Sequence, residues 1–510
     1  MRNDQMQKAG KWSLLLAVAV IFLLFFTLNS SPSIYIDEYW IASIATKSFN
    51  TDGIINTSFR NYSPQYINIQ PLYIFALGGV VKLMGNSLFV IRLLSALSVL
   101  GCTFIMVKIA YRGKEYSWLF FLLIVFILIV PIVWRTAHVC RPEPVVLFAI
   151  LASLYVNLEI RNPRFLFNLF AGLMLALPLF FYITGVLVLP IVGILFLQEL
   201  FRDYSGKLML RIAAIRVIGF ILGMLIFFLV AGTPVEVWAY LSESEISKVT
   251  VSNAGLLSRG FSYLKYYANY QLENLYFYLP AWILILYSLY KKGSKGNQVI
   301  FFVFYGIAVG FLTMLSRKSI NYLIYSEIFF VMLLVSSLVD QKPLLQKLNL
   351  LYFVLGGIFF CLFYSFYFYG FTSDKTKAQL DRIVSDMQPV IVASIPYKGF
   401  FFNNDKFLAL EEFEYLIRTN SKRSADDYVR ANSIEWAILD NATYEKVELR
   451  QIVKYIQGNF EPVYILHDNF VGHRIYDDVP YEWNIKDILR KLKTRPSSEI
   501  SIYKRKRKKK

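Results

Sequence analysis

Trp12–Leu28 reads WSLLLAVAVIFLLFFTL, an uncharged run whose only hydroxyl side chains are Ser13 and Thr27. A helix rises about 1.5 Å per residue, and a membrane span needs about 17–25 apolar residues. Arg2, Lys8 and Lys11 precede the run, and Asn29-Ser30-Ser31-Pro32 leads out of it. A basic flank before an apolar run has the outline of a secretory signal, but no small-x-small cleavage site follows. The run is therefore read as a retained first span with its N-terminus on the inner side.

Ten further spans are predicted at 88–110, 118–134, 143–158, 165–182, 184–200, 212–231, 274–290, 298–315, 320–339 and 349–370. Pro178, Thr184, Gly185 and Pro190 divide the run 165–200 into a tight hairpin of two spans. The even loops carry Arg112/Lys114, Arg161/Arg164, Arg202/Lys207/Arg211, Lys291/Lys292/Lys295 and Lys342/Lys347. These residues mark the inner side, so eleven spans leave the C-terminal part outside. Within the first long outer loop, PLYIFALGGVVKLM (71–84) is too short to span and is predicted as an interfacial helix. Residues 234–248 are expected to form a second short surface helix in the later outer loop, 232–273.

Composition agrees with this reading. The chain of 510 residues is 56% hydrophobic and 17% charged, with a mean hydropathy of +0.48. Soluble domains carry about 25% charged residues, and a soluble chain could not bury this much apolar surface. A soluble enzyme, a disulfide scaffold and a disordered protein are excluded. Cys102, Cys140 and Cys361 form no CxxC and no Cys/His cluster, so no disulfide framework or structural metal is expected. The net charge of +18 is unevenly spread. Residues 1–373 hold 28 basic and 15 acidic residues, 374–503 hold 18 and 20, and 504–510 are seven consecutive bases. Most of the excess flanks spans and does not describe a nucleic-acid surface.

Three parts follow: membrane segment 1–373, a small outer α/β domain at 374–485, and a basic tail at 486–510. In the outer domain, β-prone PVIVASI, EWAILD and PVYIL alternate with helical ALEEFEYLIR and YEKVELRQIVKYIQ. The tail reads as a disordered end able to meet anionic head groups.

Polar residues gather on the outer side. Asp37-Glu38 lies nine residues beyond the first span, between Tyr35 and Trp40. An adjacent carboxylate pair suits general-base work or cation binding, while the plainer reading is a solvated pair. Arg141-Pro142-Glu143 follows the third span, and Pro142 places Glu143 in the first turn of the next helix. Arg317-Lys318, with Tyr322 after it, sets two cations outside, against the prevailing bias. A phosphate ligand would explain them, and interfacial snorkelling is the alternative. Glu327 is the clearest charge inside a predicted span. A midplane charge of that kind would suit a transporter.

The joint pattern resembles the GT-C class of integral-membrane glycosyltransferases, in the branch of lipid A aminoarabinose transferases and protein O-mannosyltransferases. Asp37-Glu38 matches the family's carboxylate pair in the first outer loop. Gln70-Pro71-Leu72-Tyr73, then Met84-Gly85-Asn86-Ser87 and Arg92, match its turn into an interfacial helix and its Gly-x6-Arg stretch. Arg141-Pro142-Glu143 matches an Arg-Pro-Asp-type motif, and Lys318 with Tyr322 a Lys-x-x-x-Tyr motif. The chain departs from the aminoarabinose branch at Ile69-Gln70, where that branch has Glu-Lys. It departs again at Glu245-Ile246, where that branch has Glu-His.

The resemblance implies about eleven spans, interfacial helices in the first outer loop, and a GT-C-like fold. It implies sugar transfer from a polyprenyl-phosphate donor to a hydroxyl of a cell-envelope acceptor, with inversion, at the outer face of a bacterial inner membrane. Asp37, Glu38 and Glu143 would serve catalysis, and Arg141, Arg317 and Lys318 the donor phosphate. Tyr35, Trp40, Gln70, Tyr322 and Glu245 would line the substrate groove. No metal site is implied by spacing, but the Asp37-Glu38 loop leaves room for a divalent cation. The competing classes are a polyprenyl-linked lipid transporter or flippase and a non-catalytic lipid-carrier binding protein.

Overall fold

The computed structural model describes residues 2–29, 38–50, 70–110, 118–159, 164–194, 206–237, 256–292, 297–315, 320–339, 341–368, 378, 380, 390–418, 424–468 and 498–506. Two compact units emerge. A membrane unit comprises Met1–Asn29, Gln65–Ala76 and Arg92–Tyr364, and a second unit Ser30–Pro64, Leu77–Ile91 and Ser365–Lys510. The early segments 30–64 and 77–91, assigned to the membrane part from sequence, group with the C-terminal unit instead.

Each of the eleven predicted spans overlaps helix among the described residues, 118–134 across two helices and 184–200 only as far as Ile194. Among the described residues, six helices are long and apolar enough to cross a membrane, or eight if each of two bent pairs counts as one span. Phe165–Phe181, Ile183–Ile194 and Gln298–Thr313 are apolar but shorter. Pro71–Met84 is a helix, as expected, and ends at Gly85, whose φ of +89° closes the last turn with its N–H on the Val81 carbonyl at 2.8 Å. Of the predicted surface helix 234–248, only 234–237 falls among the described residues, and it is helical.

Ile320–Val339 is the hub of the membrane unit: every residue from Asn321 to Val339 is buried. The first helix, by contrast, has only 28% of its apolar window buried inside the protein, so most of that surface is left for lipid. Two spans are broken. Trp118–Leu128 and Pro131–Ala137 meet at 73°. Proline disfavours α geometry in its predecessor, and Val130 is extended (φ −60°, ψ 129°). Gly260–Leu272 and Leu275–Lys291 meet at 100° around Asn274, whose side-chain amide donates to the Tyr270 carbonyl at 2.8 Å. Phe165–Phe181 packs closely against Gly206–Ala231 through Gly172, Gly219 and Gly223, where an added Cβ would strike the facing helix.

The C-terminal unit carries a five-stranded sheet of order β2-β1-β3-β5-β4. The strands are β1 (Ile391–Ala393), β2 (Phe407–Ala409), β3 (Trp436–Asp440), β4 (Phe460–Asp468) and β5 (Ser498–Arg505). β1 pairs in parallel with β2 and β3, and β5 runs antiparallel to β3 and β4. Leu410–Arg418, Ala425–Ala431 and Arg450–Asn459 pack their apolar sides on it around Val392, Phe413, Tyr428, Ile452 and Ile456. Ser424 starts the second of these helices with a reciprocal capping box to Asp427. The tail drawn from residue 486 is corrected here. Residues 498–505 are an interior strand, because alternating Ile500 and Ile502 are buried between β3 and β4 while Lys504 reaches over the Trp436 ring.

Candidate functional site

Three helix starts carry the polar residues singled out in the membrane unit. Gln70 precedes Pro71–Met84, Arg141 precedes Pro142–Glu159, and Tyr322 lies in the first turn of Ile320–Val339. Pro71 and Pro142 each occupy the first helical position, where a missing N–H costs nothing and φ is already set.

Arg141 grips Glu143 as a fork: Nη2 donates to Oε1 at 3.1 Å and Nε to Oε2 at 3.3 Å. The Glu143 side chain is 1% exposed and that of Arg141 16%, so the pair sits in a partly dry setting with only the cation reaching outward. The Ser95 hydroxyl donates to the Arg141 carbonyl at 3.4 Å. Glu143 lies within electrostatic range of Tyr73 on the first of these helices and of Tyr325 on the third. Tyr73 contacts Cys140 (Oη to Sγ 3.5 Å), and Tyr325 shares a 2.7 Å hydrogen bond with Thr184. Tyr322, buried, lies beside Tyr325 with ring centroids 6.5 Å apart. Gln70 is buried too, and its Oε1 has no hydrogen-bond partner among the described residues. Tyr325, a residue the sequence reading passed over, thus lies beside Tyr322 and within electrostatic range of Glu143.

The second unit carries the carboxylate end of the pattern. Glu38 is the first residue of Glu38–Asn50 and is fully buried, with Trp40 buried two residues further along. A carboxylate at a helix N-terminus faces the positive end of the helix dipole. Asp37, Tyr35, Glu245, Arg317 and Lys318 lie outside the described residues.

Other buried polar residues serve the fold. His138 Nδ1 meets the Trp134 carbonyl at 2.7 Å, and its Nε2 meets the Thr27 hydroxyl at 2.8 Å. A carbonyl only accepts, so Nδ1 carries the proton. Arg92 Nη1 donates to the Leu28 carbonyl at 3.0 Å, so two side chains latch the end of the first helix. Glu327 accepts from Tyr267 at 2.5 Å and Tyr278 at 2.7 Å, one from each arm of the second broken helix. Gln271 and Tyr305 extend the network through Tyr267. A carboxylate so supplied with donors is a structural staple. Among the described residues, no three His, Cys, Asp or Glu side chains converge to hold a metal ion.

No family model matches the chain, and no curated protein sequence does. Solved structures do. The chain matches ArnT from Cupriavidus metallidurans bound to undecaprenyl phosphate with a TM-score of 0.60 and 10% identity, over 96% of this chain and 98% of that one. It matches the apo state of the same protein with a TM-score of 0.60 and 11% identity, over 97% and 98%. The fold is therefore that of the aminoarabinose-transferase structures, in agreement with the resemblance read from the motifs.

Proposed function

We propose that the protein transfers a sugar from a polyprenyl-phosphate donor to a hydroxyl of a cell-envelope acceptor, at the outer face of a bacterial inner membrane. The observation that carries this reading is the match of nearly the whole chain to a fold whose solved example binds undecaprenyl phosphate. The outer-side clustering of Asp37-Glu38, Arg141-Glu143 and Arg317-Lys318 supports it.

In the proposed reaction Asp37 accepts the proton of the acceptor hydroxyl. The acceptor oxygen bonds to the anomeric carbon as the bond to the phosphate oxygen breaks, and polyprenyl phosphate leaves with the electron pair. A single displacement inverts the anomeric centre. Glu38 orients the acceptor. Arg317 and Lys318 stabilise the leaving phosphate, as fixed cations do where negative charge develops. Arg141 contributes to the same charge, its guanidinium reaching outward from the buried Glu143 carboxylate. Tyr35, Trp40, Gln70, Tyr322 and Glu245 line the groove. A divalent cation at the Asp37-Glu38 loop is part of the proposal, because carboxylate oxygens are the ligands that hard cations take. The Ile69-Gln70 and Glu245-Ile246 departures favour a sugar other than aminoarabinose.

The test is donor turnover by purified protein offered a panel of polyprenyl-phosphate sugars with a cell-envelope acceptor. Release of polyprenyl phosphate by wild type and not by Asp37→Asn is the expected result. Equal release by both proteins would keep the enzyme class and remove Asp37 from the base role. No release from any donor, with donor binding intact, would return the protein to a lipid-carrier binding or flipping role. Prior chelation with and without added magnesium or manganese tests the cation.

A further inference from the structure

Within the second unit, the helix that begins at Glu38 is seated on the C-terminal domain. Tyr39 stands edge-on to Phe402, with ring centroids 6.2 Å apart and planes at 77°. Its ring also covers Gly399, where any Cβ would collide with it. About two turns along the helix, Lys47 pairs with Asp405. All three contacts fall on one short segment, 395–405, between β1 and β2.

That segment is itself held from inside. Lys398 is fully buried, and its ammonium nitrogen donates to the Asn404 carbonyl at 2.8 Å and the Phe401 carbonyl at 3.1 Å. It also lies 5.4 Å from the centre of the Phe407 ring. A buried lysine is costly unless its hydrogen bonds are met, and here they fix the turn on which Tyr39 rests.

We infer that the 395–405 segment of the C-terminal domain is the positioning element of the carboxylate site: Tyr39, Gly399 and Lys398 fix the helix beginning at Glu38, and with it the reacting carboxylate end of the first outer loop. This rests on the proposed function, which gives Asp37 and Glu38 their roles. Tyr39, Gly399 and Lys398 act through the helix and do not touch the reacting atoms.

The experiment compares Tyr39→Ala, Tyr39→Phe and Gly399→Val in the full chain. Hydrogen exchange of residues 38–50 is read against that of β3, and donor turnover is partitioned into sugar transferred to acceptor and sugar lost to water. Tyr39→Ala and Gly399→Val are expected to raise exchange in 38–50 about tenfold while β3 stays protected. Transfer should fall about ten- to a hundredfold with donor KM unchanged, as misplacement by about 1 Å does, and the transfer-to-hydrolysis ratio should fall with it. Tyr39→Phe keeps the ring contact and should behave as wild type. A loss of folded protein would lower transfer and hydrolysis together and leave their ratio fixed, which would overturn the inference. Unchanged exchange in both disruptive variants would overturn the docking. Raised exchange with unchanged transfer would overturn the positioning role. Failure of the glycosyltransferase reading is seen separately, as absence of turnover in wild type with every donor.

Discussion

Removing the Arg141 guanidinium leaves the Glu143 carboxylate, 1% exposed, without its fork. Arg141→Ala should therefore destabilise the membrane unit by about 3–5 kcal/mol, and Arg141→Lys by less, since one point charge replaces two parallel bonds. Thermal unfolding in detergent micelles checks the order. At Lys398, burial above all, with Lys47 adding to it and Asp405 opposing, pushes the ammonium down from its ordinary value to about 7. Between about pH 7 and the ordinary lysine value near 10.4, the unfolded chain then holds a proton that the folded one lacks. Stability from this group rises with pH across that window, by at most about 1.4 kcal/mol per unit, and shows no slope below it. Denaturant unfolding at several pH values should show that rise in wild type relative to Lys398→Met. Arg141 and Glu143 were legible because proline between them fixes where the helix starts. Lys398 was not, because its partners are backbone carbonyls created by the turn itself.

Among the helices, Glu327 ties together both arms of a span broken by 100°. Glu327→Ala leaves the Tyr267 and Tyr278 hydroxyls buried without their acceptor, at about 1–3 kcal/mol each. Glu327→Gln retains an acceptor oxygen and should fall between wild type and the alanine variant in melting temperature. A transporter role would instead make the glutamine variant inactive at full stability. Span positions were legible from apolar run length alone, since hydrocarbon thickness sets it. The breaks were less so. Pro131 carried a signal for the first, but the arm 256–273 mixes tyrosines with polar residues and hid from the hydropathy reading. Those tyrosines are buried around a carboxylate, and a run-length reading has no means of pairing residues sixty positions apart.

At the scale of the whole chain, the sheet depends on its last strand. Deleting 498–510 removes β5 from between β3 and β4 and should leave the C-terminal unit unable to fold, with low yield and rapid proteolysis. Deleting 507–510 removes no described strand and should leave yield and protease resistance unchanged. Three strands, β1, β3 and β4, were legible as short β-branched runs in this otherwise acidic stretch. β2 is three residues long, and β5 was masked by its own charge: a run of bases reads as a solvated end, while the residues before it, Ile500, Ile502 and Tyr503, are buried. The grouping of the first outer loop with the C-terminal unit was not legible either, because contact across a whole membrane segment leaves no trace in local composition.

That grouping has a consequence for biosynthesis. Lys47 and its partner Asp405 are 358 residues apart. At about 5–20 residues per second, the helix beginning at Glu38 leaves the ribosome roughly 20–70 s before its seat is made. The seat is complete only once β5 has emerged. During that interval Tyr39 and Lys47, which rest on Gly399, Phe402 and Asp405 in the finished protein, have no domain to meet, and the helix waits for its seat until synthesis ends.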